Sequence, residues 1–200
     1  MYGKLPNLVL GFHGCDKEIF DKVLRQDIPL GNSTNEYDWL GNGIYFWEQN
    51  VDRAWDWAKE QKSRNKIKEI AVVGAVIDLG FCLNLFDKKY IDEVKGSYEE
   101  FKLIRLIINE PMPENKNVKS NTDLLLRNLD CAVIEYLHKK RKENFRPAFD
   151  SVRGLFREGK ELYSNSGFYE KTHIQICVRN PNCIKGYFNP INANIDFEIP

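Results

Sequence analysis

Residues 7–13 alternate, with Leu8, Leu10 and Phe12 on one side and Val9, Gly11 and His13 on the other. That period of two predicts a short strand with a histidine at its outer end. Asp16 is placed to cap the helix that follows, in which Ile19, Phe20, Val23 and Leu24 form one stripe before Pro29, Gly31 and a polar run at 32–35. A second strand is predicted at 43–47, and Asn50 opens a helix whose Val51, Ala54, Trp55 and Ala58 keep helical spacing. Residues 70–79 are β-branched and nearly continuous, which predicts a buried strand. From 87 to 144 the pattern turns helical, with Phe101, Ile104 and Ile108 on one segment and Leu125, Leu129, Ala132, Val133, Tyr136 and Leu137 on another, split by Pro111 and Pro113. Strand signals return at 151–156, 172–178 and 184–188. The order strands, helices, strands predicts an α+β fold with a helical insertion at about 87–146.

Strand parity separates polar from apolar side chains. Across 172–178, Ile174, Ile176 and Val178 share one face, expected to be core, while His173, Gln175 and Cys177 share the other. By the same alternation Tyr45 and Trp47 lie opposite Ile44 and Phe46, and His13 lies opposite Leu10 and Phe12.

At 200 residues and 42% hydrophobic content, one sizeable core is expected, hence a single domain over 1–200. The sequence begins with no charged-then-apolar leader and contains no apolar stretch of bilayer length, so a soluble cytoplasmic chain without membrane contact is expected. Five scattered cysteines without metal spacing read as reduced thiols, and the three histidines lack ligand spacing with them, so no metal is expected. His173 and Cys177 point parallel on one strand, which argues against a Cys-His nucleophile. Net charge is zero, yet residues 138–186 hold eleven Lys and Arg against five Asp and Glu. Such a run is either a solvated face or a phosphate-tracking surface, and both remain open at this point.

Three motifs then line up in order: His13-Gly14 at the end of the first strand; Gly41-Asn42-Gly43-Ile44-Tyr45-Phe46 on the second, with Ala54 and Trp57 on the helix behind; and Gln175 on a late strand. On these residues the chain resembles the ADP-ribosyltransferase superfamily, in its His-Tyr-Glu branch of poly-ADP-ribose polymerases, diphtheria-toxin-like enzymes and bacterial toxin or phage-defence transferases. The resemblance covers both ends of the chain and omits the helical middle. It implies the ADP-ribosyltransferase fold, a split pair of small β-sheets around an NAD cleft. It also implies that His13 bonds the adenosine ribose, that the Gly14 backbone receives the nicotinamide amide, and that Tyr45 stacks on the nicotinamide ring with its hydroxyl free. Gly43 belongs to the same cofactor-binding motif.

Gln175 departs from the family, which usually has glutamate there. An amide bonds a ribose hydroxyl but takes no proton at neutral pH. The group that activates the acceptor is then Glu170 or Glu158, or the acceptor needs little activation. Residues 164–171 stand where the family has its target-recognition loop. There Phe168 and Tyr169 suit a nucleobase, and Lys171, Arg153 and Arg179 suit phosphates, the alternative being an ordinary surface turn. Arg153 is also the candidate for the dinucleotide pyrophosphate. The expected activity is NAD-dependent mono-ADP-ribosyl transfer to a macromolecule, with RNA or single-stranded DNA ahead of protein. NAD hydrolysis and an inactive NAD- or ADP-ribose-binding module are the alternatives. A toxin of this kind is expected to need a neutralising antitoxin.

Overall fold

The computed structural model describes residues 8–118 and 123–191. Asn7, the expected start of the first strand, and residues 119–122 of the expected insertion lie outside the described residues. Among the described residues the architecture is α+β, a mixed seven-stranded sheet with four α-helices and a separate two-stranded ladder. Strand β1 (Leu8–Asp16) leads into helix α1 (Lys17–Leu24), where the Asp16 side chain accepts from Glu18 N–H as expected of the cap. Strand β2 (Ile44–Glu48) leads into α2 (Val51–Ser63), capped by Asn50 accepting from Arg53 N–H. Then come β3 (Ile70–Asp78) and β4 (Cys82–Asn84). The segment from α3 (Lys88–Ile107) through the short ladder β5 (Asn115–Lys116) and β6 (Leu126–Arg127) to α4 (Asn128–Glu143) lies where the helical insertion was expected. The chain closes with β7 (Ser151–Phe156), β8 (His173–Val178) and β9 (Ile184–Phe188).

The sheet order is β4-β7-β8-β2-β1-β3-β9, so the expected pair of sheets is joined into one. The joint is narrow: β1 and β2 are in register only at Gly11↔Glu48 and Phe12↔Trp47. Three hydrophobic clusters cover the two faces. On one face Ile44, Phe46, Val73, Ala75, Ile176 and Val178 meet Phe20 and Val23 of α1. Burying a ring such as Phe46, with 0% exposure, contributes about 2–3 kcal/mol. The opposite face is divided. Helix α2 covers Trp47 and Val72 with Ala54, and α4 covers Val152, Phe156 and Cys177 with Ile134 and Leu137.

This division corrects the parity expectation for β8. His173 and Cys177 do share a face, but that face carries a second core, and both side chains are buried in it. The expected packing stripe of α3 is also revised. Phe101 meets Tyr136 with ring centroids 5.3 Å apart, whereas Ile104 and Ile108 are exposed. Helix α3 packs on the α4 side through Tyr90, Val94 and Phe101 instead, with ion pairs from Glu93 to Arg141 at 2.5 Å and from Glu100 to Lys140. Among the described residues no helix is long and apolar enough to cross a membrane, and no group of His, Cys, Asp and Glu is placed to hold a metal ion.

Candidate functional site: an opened rung between two strands

Gln49 N–H donates to Leu10 C=O at 2.9 Å, so the backbone groups of Leu10 point toward β2. Strand alternation gives Phe12 and Gly14 the same direction. Continuing the register past Phe12↔Trp47 would set Gly14 against Tyr45, but the ladder has already stopped. The Tyr45 carbonyl instead accepts from His13 Nδ1–H at 2.8 Å. One imidazole thus takes the hydrogen bond of a missing rung, and the Gly14 N–H and C=O are directed at the opening. A primary carboxamide has the complementary donor and acceptor. Because Nδ1 carries the proton, neutral His13 keeps its lone pair on Nε2, an acceptor for a hydroxyl. Burial lowers its pKa below the ordinary histidine value, with the Tyr45 hydrogen bond opposing.

Helix α2 closes one side. A Cβ on Gly14 would lie 2.4 Å from the Ala54 carbonyl oxygen and 3.2 Å from Trp57 Cε3, so only glycine admits the helix this closely. Trp57 stands 6.4 Å from the His13 ring and 5.8 Å from the Trp47 ring. Trp47 is the direct cross-strand neighbour of Gln175, and its buried Nε1–H has no partner among the described residues. His13, Gly14, Trp47, Trp57 and Gln175 are therefore brought to one opening. Trp57 is the aromatic beside Gly14, a position the Ala54/Trp57 spacing marked without giving it a role.

Other expected site residues stand elsewhere or are otherwise engaged. The Tyr45 ring packs against the core under α4; its hydroxyl donates to Gly41 C=O at 2.6 Å and accepts from Leu40 N–H at 2.9 Å, so it is not free. Gly43 lacks a side chain because β8 runs too close: a Cβ there would lie 2.4 Å from Cys177 Sγ and 2.7 Å from Val178 O. Arg153 lies on the α1 face and is held by both oxygens of Glu48, at 2.5 and 2.6 Å, which leaves it committed rather than available to a pyrophosphate. Arg179 sits past the far end of β8, tied to Glu135 and to Asn42 C=O. Glu170 is an exposed loop residue whose carboxylate accepts from Lys160 N–H. Phe168 is 65% exposed, Tyr169 lies under Arg157 at 5.0 Å, and Lys171 pairs with Glu60 at 3.1 Å. Of the eleven basic residues of 138–186, Lys140, Arg141, Arg153, Lys171 and Arg179 pair with carboxylates from the rest of the chain.

The second candidate carboxylate is better placed. Glu158 is mostly buried and receives Arg53 Nη2–H at 3.1 Å, a pairing across 105 residues that no local spacing encodes. All five cysteines are free, and burial raises the Cys177 thiol above its ordinary range, out of reach of nucleophilic use at neutral pH. A cavity of about 380 Å³ between the insertion and the sheet, lined by Trp39, Tyr98, Arg127, Val133 and Phe156 among others, is separate from His13 and Gly14.

No family model matches the chain, and no solved structure matches it. An uncharacterized protein of Methanocaldococcus jannaschii is 28% identical over 194 residues, covering 87% of this chain and 83% of that protein.

Proposed function

We propose that the chain is an NAD-dependent mono-ADP-ribosyltransferase of the ADP-ribosyltransferase fold. The observation that carries this is the opened rung: a glycine backbone amide directed into a gap between strands, a histidine bridging that gap, and an indole beside it. The opening suits NAD, because a nicotinamide carboxamide can restore the missing rung on Gly14 while Trp57 offers a flat apolar surface to the ring. His13 Nε2 accepts from a ribose hydroxyl, and the Gln175 amide bonds a second. Held so, the ribose is oriented while positive charge develops on it and nicotinamide leaves.

A nucleic-acid acceptor is favoured by exposed Phe168 and Tyr163 on the loop before β8, with Arg157 and Lys160 nearby in sequence. A protein acceptor is the second reading, favoured by the pairing of Arg141, Arg153, Lys171 and Arg179 with carboxylates, which lowers the charge left for phosphates. A cytoplasmic effector held by an antitoxin fits either.

The test is incubation of the full chain with labelled NAD alone, with total RNA, with single-stranded DNA and with a protein extract. Label on RNA or DNA, lost in His13→Ala and Trp57→Ala, is the expected outcome. Label on protein would move the acceptor class, and nicotinamide release alone would make the chain a glycohydrolase. No NAD consumption under any condition would leave a binding module.

A further inference from the structure

One flank of α2 carries Arg53, Trp57 and Glu60, spaced four and three residues apart and so on one side of the helix. The two outer members reach the same partner segment: Arg53 pairs with Glu158, and Glu60 with Lys171, both at 3.1 Å. Lys171 N–H in turn donates to Glu158 C=O at 2.9 Å, which extends the β7/β8 ladder one step past Phe156↔His173. Glu158, Lys171, His173 and Gln175 therefore share the sheet face that α2 and α4 divide between them, and the two ion pairs bracket Trp57. Arg53, which holds Glu158, thus sits one helical turn from Trp57, whose ring lies against Gly14.

The pair is only 11% exposed at Arg53 and 13% at Glu158. Arg53 Nε and Nη1 are buried without a partner among the described residues. Each orphaned N–H carries a desolvation cost that an acceptor from a bound ligand would offset.

We propose that Glu158, held by Arg53, is the catalytic carboxylate that takes the proton from the acceptor, and that the remaining Arg53 donors receive a phosphate of a nucleic-acid acceptor. This rests on the transferase reading. The C1′–nitrogen bond to nicotinamide breaks, with its electron pair going to nicotinamide. The acceptor oxygen or nitrogen bonds C1′, and its proton passes to Glu158. The strand position that would supply a carboxylate holds Gln175, which cannot do this, so the base comes from the end of β7.

Burial raises the Glu158 carboxyl above its ordinary range; Arg53 and Lys171 oppose this, while Asp123 and Glu60 add to it. Arg127 also faces it. A base tuned upward is better matched to work near neutral pH.

The experiment compares wild type, Glu158→Gln, Glu158→Asp, Arg53→Gln and His13→Ala in the full chain, reading label transfer to polymer, KM for NAD and for polymer, a pH–rate profile and thermal unfolding. The expected result is at least a 100-fold lower kcat for Glu158→Gln with KM for NAD unchanged and the acid limb of the profile gone. Glu158→Asp should be intermediate with the limb retained, and Arg53→Gln should also raise KM for polymer. If Glu158→Gln melts early, the folded Glu158→Asp protein decides. A wild-type transfer rate in either folded Glu158 variant, or an unchanged pH profile in folded Glu158→Gln, with His13→Ala inactive, would overturn the assignment of Glu158 alone. A wild-type chain that consumes no NAD would overturn both this and the transferase reading.

Discussion

Strand β1 is used differently along its two edges. Toward β3 all nine residues, Leu8 to Asp16, keep a partner; toward β2 only Gly11 and Phe12 are in register, with Leu10 C=O held by Gln49 N–H just past the strand. The first edge is ordinary sheet, its cost in chain entropy offset by backbone hydrogen bonds and the β-branched packing of Val72, Val73 and Val76. The second edge gives up rungs and leaves polar backbone directed at a gap, which a purely structural sheet avoids. It survives because His13 covers the Tyr45 carbonyl and α2 fixes Gly14. An edge that surrenders pairing and then stabilises the exposed groups individually is where chemistry is to be sought.

The sharpest way to break the comparison is Gly14→Val. The new side chain meets a backbone oxygen, Ala54 C=O, and must push α2 and Trp57 away from the sheet. Overpacking of this kind costs about 1–3 kcal/mol. The expected outcome is NAD turnover lowered beyond detection in a protein that still unfolds cooperatively in urea. Gly74→Ala on β3 is the control: its Cβ meets the Phe188 ring, a side chain that can swing, so it should cost stability and spare turnover. Equal turnover in Gly14→Val and wild type would show that the gap is not the site.

Acidification probes a different contrast, between the gap and the core under the insertion. His138 and His173 are pulled down to about 4, mainly by burial, with nearby arginines adding to it. A histidine with a depressed folded pKa stays neutral in the native state while its unfolded counterpart takes a proton below about 6.5. Stability is therefore fully present at neutral pH and lost as pH falls from 6.5 toward 4, by on the order of 3 kcal/mol for each of the two groups. Urea midpoints at pH 7, 5.5 and 4.5 measure this. His138→Gln should flatten the slope, whereas His13→Ala should flatten it less if the insertion side dominates.

Much of this was legible in the sequence because it is local. The Asp16 and Asn50 caps, the strands at 151–156 and 184–188 and the helices around the Pro111 break all follow from spacing within a few residues. The His13-Gly14 element also announced itself. What escaped was set by partners far away in the chain. Arg153 looks like a free phosphate ligand until Glu48 is beside it, and Glu158 looks like a loop acid until Arg53 is. The three-residue β4 is too short to show a period. The polar face of β8 misled because the sheet is covered on both sides, so alternation separated two cores rather than core from solvent. Tyr45 was given the stacking role by its motif, but its ring serves the α4 side, and Trp57 stands at the opening.

His13→Ala removes the bridge across the gap and leaves the Tyr45 carbonyl without its donor. Turnover measured as kcat/KM should fall about 100-fold, near 2.7 kcal/mol. Stability should fall by only about 1 kcal/mol, because water can reach an opened rung. A loss of stability much larger than the loss of activity would make His13 a structural residue.

The smallest effect, and the one that best separates the two sides of β2, is expected for Tyr45→Phe. The Tyr45 carbonyl belongs to the gap, while its hydroxyl belongs to the turn at Leu40 and Gly41, on the side covered by the insertion. Removing the hydroxyl leaves the backbone and the His13 bond intact but strips Leu40 N–H of its acceptor and leaves Gly41 C=O with only the weak Cys177 thiol donor. That should cost about 1–2 kcal/mol in urea unfolding, with kcat and KM for NAD within about twofold of wild type. If the hydroxyl instead met substrate, kcat would fall while stability held, and the assignment of Tyr45 to the structural side of the strand would have to be reversed.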